Sequence, residues 1–195
     1  GKTLLAMHLL ALAQKDGAET FWVAAEDFDR LWAAKHGVDV DSLALFEPQL
    51  VGDPEVPDTI KVQCAQETMA EVEVWFKRRF HKKIFGVLDS VNALLPAAVL
   101  AAGVEGQTMA TNLARAKFLG ELMPQWNGWV RTYNFCFVLI NQLRNKPGMV
   151  FGNPEHSTGG DAIPFYSAVR AKVQRQPDGV IKQLGKIVGL RSSIY

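Results

Sequence analysis

The sequence predicts an α/β domain with a mainly parallel sheet flanked by helices. Three observations carry that expectation. Short apolar runs that read as strands alternate with helical patterns along the chain. Three of the runs end on polar groups, at Glu26, Asp89 and Gln142, and open parallel sheets place ligand chemistry at the carboxyl ends of their strands. The chain also opens Gly1-Lys2-Thr3 and passes at once into helix formers, "GKTLLAMHLL". The 195 residues suffice for one domain with a sizeable core, and 48% hydrophobic with 21% charged residues is a globular balance. A net charge of +1 excludes a bulk polycation, so any nucleic-acid surface is local.

Taken in order, residues 3–15 read as the first helix, stopped at Gly17, and "TFWVAAE" (20–26) as a buried strand ending on an acid. "RLWAAKH" (30–36) is a short helix closed by Gly37, and "SLALFEP" (42–48) a short strand ended by Pro48. "QLVGDPEVPD" reads as a loop. From Thr59 to His81, Met69, Val72, Phe76 and Phe80 share one helical face, with acids early and bases late as the helix dipole prefers. "IFGVLDS" (84–90) is an apolar strand, and 108–123 a helix ended by Pro124. "NFCFVLINQ" (134–142) is the most apolar strand, and residues 144–160 form a long loop. Two strands flanking a turn at Pro177-Asp178-Gly179 complete the chain. Cys64 and Cys136 read as reduced, buried thiols of a cytoplasmic protein. No apolar run reaches the ~18 residues of a membrane span, so no membrane partner is expected.

The chemistry lies at the polar strand ends. Gly-Lys-Thr before a helix is the second half of a phosphate-binding loop, in which backbone N–H groups wrap phosphate, the lysine neutralises its charge and the hydroxyl ligates Mg²⁺. Followed by Glu26 and Asp89, it has the order an ATPase requires: Lys2 for phosphate, Thr3 and Asp89 for Mg²⁺, and Glu26 to polarise the attacking water. A strand-end acid taken alone is as often merely solvated. Gln142 is either an amide bonded to loop backbone or a reporter of the γ-phosphate to the loop after it. That loop carries Arg144, Lys146, Phe151, Asn153, His156, Ser157 and Thr158 and ends in Gly159-Gly160. Bases and an aromatic among exposed amides suit single-stranded nucleic acid, although by composition alone an ordinary surface loop is favoured. The basic run "KRRFHKK" (77–83) reads first as a helix end complementing its dipole, with a DNA phosphate contact as the rarer alternative.

"VLINQLRNKPGMVFGNPEHSTGGDAIPFYSAVR" (138–170) resembles the second DNA-binding loop and flanking strands of the bacterial RecA recombinase family. "VLDSVNALLP" (87–96) is similar to that family's Walker B strand, and "HGVDVDSLALFEP" (36–48) to the stretch after its first strand and helix. The resemblance implies a RecA-type P-loop ATPase core, entered halfway through the phosphate loop at Gly1, a single domain over 1–195. It implies ATP and Mg²⁺ as cofactors, single- and double-stranded DNA as partners, and self-association into a helical filament.

Residue by residue, it implies that Gly1, Lys2 and Thr3 bind phosphate, that Asp89 with Ser90 completes the Mg²⁺ site, and that Glu26 is the catalytic carboxylate. Gln142 becomes the switch between nucleotide and DNA. Asp29 and Trp32 fall on adenine contacts, with a core aromatic as the plain alternative for Trp32. Arg144, Gly159 and Gly160 match the loop that grips the DNA backbone, Arg115 a basic position after the first DNA loop, and Phe165 an aromatic that packs across the subunit interface. The sequence departs from the family at Asp27, Pro147 and Pro164, and its first DNA loop aligns loosely, with Met109 as a second wedge between bases. The implied function is ATP-dependent filament formation on single-stranded DNA with homologous pairing and strand exchange. A ring ATPase or helicase on the same core and an ATP-gated scaffold with little hydrolysis are the alternatives. The isolated polypeptide is expected to have little ATPase activity.

Overall fold

The computed structural model describes residues 1–53, 55–56, 61–103, 109–145, 155–183 and 186–195. Its centre is a four-stranded parallel sheet in the order β2-β1-β5-β6, with β1 at Glu19–Ala24, β2 at Ala44–Phe46, β5 at Ile84–Asp89 and β6 at Phe135–Leu139. Period-2 alternation sends successive side chains to opposite faces, and both faces are covered. On one side α1 (Lys2–Lys15) and α2 (Arg30–Lys35) pack Met7, Leu10 and Ala33 against Trp22, Ala24 and Val87. On the other, α3 (Ala65–Lys77) and α5 (Met109–Thr132) pack Met69, Val72, Phe76, Leu119 and Trp126 against Phe21, Val23, Ile84 and Leu88. The expected α/β architecture with a parallel sheet flanked by helices is present.

One packing detail shows why this sheet carries a glycine. Phe21 of β1 pairs with Gly86 of β5, and its ring, ringed in turn by Trp75, Trp126, Phe135 and Phe137, fills the space a side chain at 86 would need. A Cβ on Gly86 would lie 2.1 Å from the ring.

Several boundaries differ from the sequence expectation. The long helix expected over 59–81 runs only over Ala65–Lys77. It starts late because Cys64 and Glu67 close a capping box and Lys61–Val62 (β4), within the span expected as helix, pairs antiparallel with Leu50–Val51 (β3) of the expected connecting loop. It stops early, so Phe80 is exposed beside Tyr133 rather than in line with Phe76. Pro124 does not end α5, which continues to Thr132 with the proline inside. Burial of Trp126, one apolar turn beyond Phe118, Leu119, Leu122 and Met123, outweighs the missing N–H.

The segment expected as loop over 144–160 is bracketed by a ladder of Leu143–Asn145 (β7) with Glu155–Ser157 (β8). Residues expected as strand from Asp161 begin with a short helix, α6 (Ala162–Tyr166), where Pro164 sits in the first turn and costs no hydrogen bond. The last two strands, β9 (Val173–Gln183) and β10 (Lys186–Ile194), pair antiparallel as a separate sheet. Pro177-Asp178-Gly179 is not their turn. It lies within β9 at an irregularity in register, where Val180 faces Leu190 and Arg175 faces Ser192. Cys64 is buried as expected, but Cys136 is exposed. It stands on edge strand β6, whereas α1 covers β1 and β5. A short 3₁₀ turn (Val91–Ala93) and helix α4 (Ala97–Ala102) lead from β5 toward α5. No helix among the described residues is long and apolar enough to cross a membrane.

Candidate functional site

Sequence-distant residues meet where β1 and β5 end. The Thr3 hydroxyl, in the first turn of α1, donates to Asp89 Oδ2 at 2.8 Å. Asp89 is the last residue of β5 and only 6% exposed. One residue on, the buried Ser90 hydroxyl donates to Glu26 Oε1. The Glu26 backbone N–H donates to the Asp89 carbonyl at 3.0 Å, which carries the β1–β5 pairing two residues beyond Ala24. Four of the expected residues, Thr3, Glu26, Asp89 and Ser90, thus form one hydrogen-bonded group.

Helix α1 begins at Lys2 with Gly1 at its N-cap and no side-chain cap, so its first amides have no partner of that kind. Such a terminus favours anions. Lys2 beside it is exposed. Burial pushes the Asp89 carboxyl above the ordinary carboxylate value. The Thr3 hydrogen bond opposes that shift, the Glu26 charge adds to it, and Lys2 opposes it. A cavity of about 450 Å³ opens beside Glu26, walled by Asp27, Glu47, Gln49, Gln63 and Leu95.

Asp29 caps α2, its Oδ1 accepting from the Trp32 N–H at 2.8 Å. Trp32 is 38% exposed with His36 edge-on against it at 4.7 Å, so it is not a core aromatic. Among the described contacts, none joins Asp29 or Trp32 to the Thr3–Asp89 group.

A second cluster lies at the end of β6. Gln142 is half-buried and its N–H donates to Asn141 Oδ1 at 2.8 Å. Asn141 Nδ2 donates to the Thr158 carbonyl at 2.9 Å, and the Thr158 hydroxyl lies 2.9 Å from Asn141 Oδ1 and also against Asn92 Oδ1. One hydroxyl proton cannot serve two acceptors, and Asn92 Nδ2 is buried without a partner among the described residues. Turning the Asn92 amide over resolves the first conflict: its Nδ2 then donates to Thr158 Oγ1, whose proton goes to Asn141, and Asn92 Oδ1 takes the buried position without a described partner. Asn92 and Asn141 were not singled out as site residues from the sequence. The available signal was an amide three residues after the strand-end acid and another beside Gln142.

Gly159 and Gly160 follow with φ of +93° and +79°. A Cβ would meet Leu119 Cδ1 at 2.7 Å from Gly159 and Ala116 Cβ at 2.9 Å from Gly160. These glycines therefore press the backbone onto α5. The Arg115 Nε–H donates to the Leu94 carbonyl at 3.1 Å, tying α5 to the segment after β5. Phe165 is 79% exposed on α6. The backbone of Arg144 pairs with His156. Lys146, Pro147, Phe151 and Asn153, and the side chains of Arg144 and Met109, lie outside the described residues.

A family model, the RecA N-terminal domain, matches residues 81–195. That is more than half of the chain. The chain belongs to the RecA family. Among relatives, Protein RecA of Rhodospirillum rubrum is 34% identical over the whole chain, which covers 48% of that protein. Protein RecA of Acholeplasma laidlawii is 32% identical and that of Gluconobacter oxydans 34%, each over the whole chain, covering 53% and 50% of them. The chain spans about half the length of these RecA relatives.

Proposed function

We propose that this chain is the P-loop nucleotide-binding core of a RecA-type DNA recombinase. The complete protein would form an ATP-dependent filament on single-stranded DNA, pair it with homologous duplex and exchange strands, hydrolysing ATP as it does so. The observation that best supports the reading is the Thr3–Asp89 hydrogen bond with Ser90–Glu26 beside it. Residues 86 positions apart are brought into the order a phosphate site needs.

The donor set suits a hard divalent cation: a hydroxyl and a buried carboxylate, both oxygen, with the carboxylate's charge poorly compensated by its surroundings. Thr3 and Asp89 would hold Mg²⁺, oriented by Ser90. When bound, that ion supplies charge neutralisation at the phosphates. The residues supply the rest. The α1 amides and Lys2 bind and orient the phosphate chain. Glu26, exposed at the end of β1, accepts a hydrogen bond from the attacking water and aligns it. Asp29 and Trp32 border the base, and Gln142 senses the terminal phosphate. Through Asn141 and Thr158, the loop holding Arg144, Lys146, Phe151 and Asn153 is coupled to that signal, and Phe165 packs against the next subunit. Phosphate contacts by the loop make DNA affinity salt-dependent and largely indifferent to sequence.

The test is ATP hydrolysis by the complete protein, with and without single-stranded DNA, beside Lys2→Ala and Glu26→Gln variants. Hydrolysis stimulated by DNA and abolished by both changes is the expected result. Hydrolysis indifferent to DNA would move the assignment to another ATPase branch of the same core, and turnover unchanged in Glu26→Gln would remove that residue's role.

A further inference from the structure

The basic run at 77–83 is not used by the site above. It lies at the other end of the sheet, where α3 ends and β5 begins. β5 spans six residues, so this end is roughly 17–20 Å from Asp89. The helix dipole accounts for Lys77, in the last turn of α3, and internal pairing accounts for others. Lys77 meets Glu73 at 2.6 Å, Arg79 meets Glu19 at 3.6 Å and lies over Trp75, and Lys83 meets Asp16 at 2.9 Å.

Arg78 and Lys82 are left over. Both are exposed, and among the described residues neither enters an ion pair. Between them sits Phe80, 47% exposed, with Tyr133, 37% exposed, at 5.4 Å from it. His81 is edge-on to Phe80 at 5.9 Å. Arg131, in the last turn of α5, is exposed two residues before Tyr133. Unpaired cations alternating with solvent-facing rings match a phosphodiester backbone carrying bases that can stack. An acidic protein surface would use the cations and leave the rings without a role.

We propose that Arg78, Lys82, Phe80 and Tyr133 form a second contact surface for single-stranded nucleic acid, separate from the 144–160 loop. The cations hold phosphates and the two rings receive bases. This surface depends on no nucleotide, because nothing in it touches the Thr3–Asp89 group. It is independent of the loop reading, and the two are separable by experiment.

The measurement is binding of the complete, nucleotide-free protein to fluorescein-labelled oligo-dT by anisotropy between roughly 50 and 200 mM salt. Arg78→Ala/Lys82→Ala, with both side chains exposed, is expected to fold normally by circular dichroism. It should flatten the slope of log affinity against log salt by about 1.4, so that the affinity lost over that fourfold salt range shrinks by about sevenfold. Phe80→Ala and Tyr133→Ala should each weaken binding by about fivefold or more with the slope unchanged, and photocrosslinking to thiothymidine-containing oligo-dT should leave adducts on Phe80 or Tyr133. A slope and adduct pattern identical to wild type in Arg78→Ala/Lys82→Ala overturns the surface, whether or not Arg144→Ala affects binding. A slope that falls in Arg78→Ala/Lys82→Ala and not in Arg144→Ala supports the surface and counts against the loop.

Discussion

Gly159→Ala isolates how tightly the base of the 144–160 loop is fitted to the core. Two costs act at this position. Its φ of +93° places an L-residue in strained backbone, worth about 1–2 kcal/mol. The new methyl would also lie 2.7 Å from Leu119 Cδ1 and 3.3 Å from Val91 Cγ1. Leu119 and Val91 are fully buried, so neither can swing aside, and overpacking of this kind costs about 1–3 kcal/mol. The expected loss is therefore about 2–5 kcal/mol. Gly17→Ala is the internal control, with φ +77° and nothing within 4 Å of the added atom, so only the strain remains. Gly120→Ala, in the interior of α5 with open space around it, should instead gain about 0.5–1 kcal/mol. Urea unfolding of the three variants of the complete protein should rank them Gly120→Ala, Gly17→Ala, Gly159→Ala from most to least stable. Equal losses at 17 and 159 would refute the packing argument, since strain alone would then explain both.

Three further outcomes are expected. Asp89→Asn should raise the neutral-pH melting temperature of the nucleotide-free protein and abolish its stabilisation by Mg²⁺-ATP; because burial raises the folded pKa of Asp89, wild-type stability should decline as pH rises through that shifted value and the variant should not follow it. Gly86→Ala should sit at the upper end of the ~1–3 kcal/mol overpacking range, and Phe21→Leu added to it should recover part of the loss in the same urea titration, through the space beneath the ring. Glu67 is held down to about 2 by the Cys64 backbone and side chain and by Lys61; its contribution to the α3 cap is present above the ordinary glutamate value and lost as pH falls through about 2, so melting curves of wild type and Glu67→Gln should converge at low pH.

Features whose physics is local were legible. The parallel strands announce themselves as apolar runs, and polar residues at their ends, with Gly1-Lys2-Thr3 before a helix, point Thr3, Asp89 and Glu26 to one region, to which the family resemblance adds Ser90. What was missed depends on neighbours distant in sequence. Pro124 reads as a stop, yet α5 gains more from burying Trp126 than it loses at the proline. Cys136 sits in an apolar run, but the run lies at an edge that α1 does not cover. Phe80 has the right spacing for the α3 core stripe and falls outside it because the helix stops at Lys77. Pro177-Asp178-Gly179 has turn chemistry but is absorbed as an irregularity within β9. The Asn92–Thr158–Asn141 cluster joins three separate segments, and no spacing rule connects them.

The ladder that brackets the loop has a thermodynamic side. With Leu143 paired to Ser157 and Thr158 pinned to Asn141, the two ends of the intervening segment are already held one strand spacing apart, about 5 Å. Bringing together the ends of a free chain of that length costs about 2 kcal/mol in configurational entropy, and here folding has met that cost before any ligand arrives. Cutting the Thr158 pin would hand that closure cost back to the folded protein.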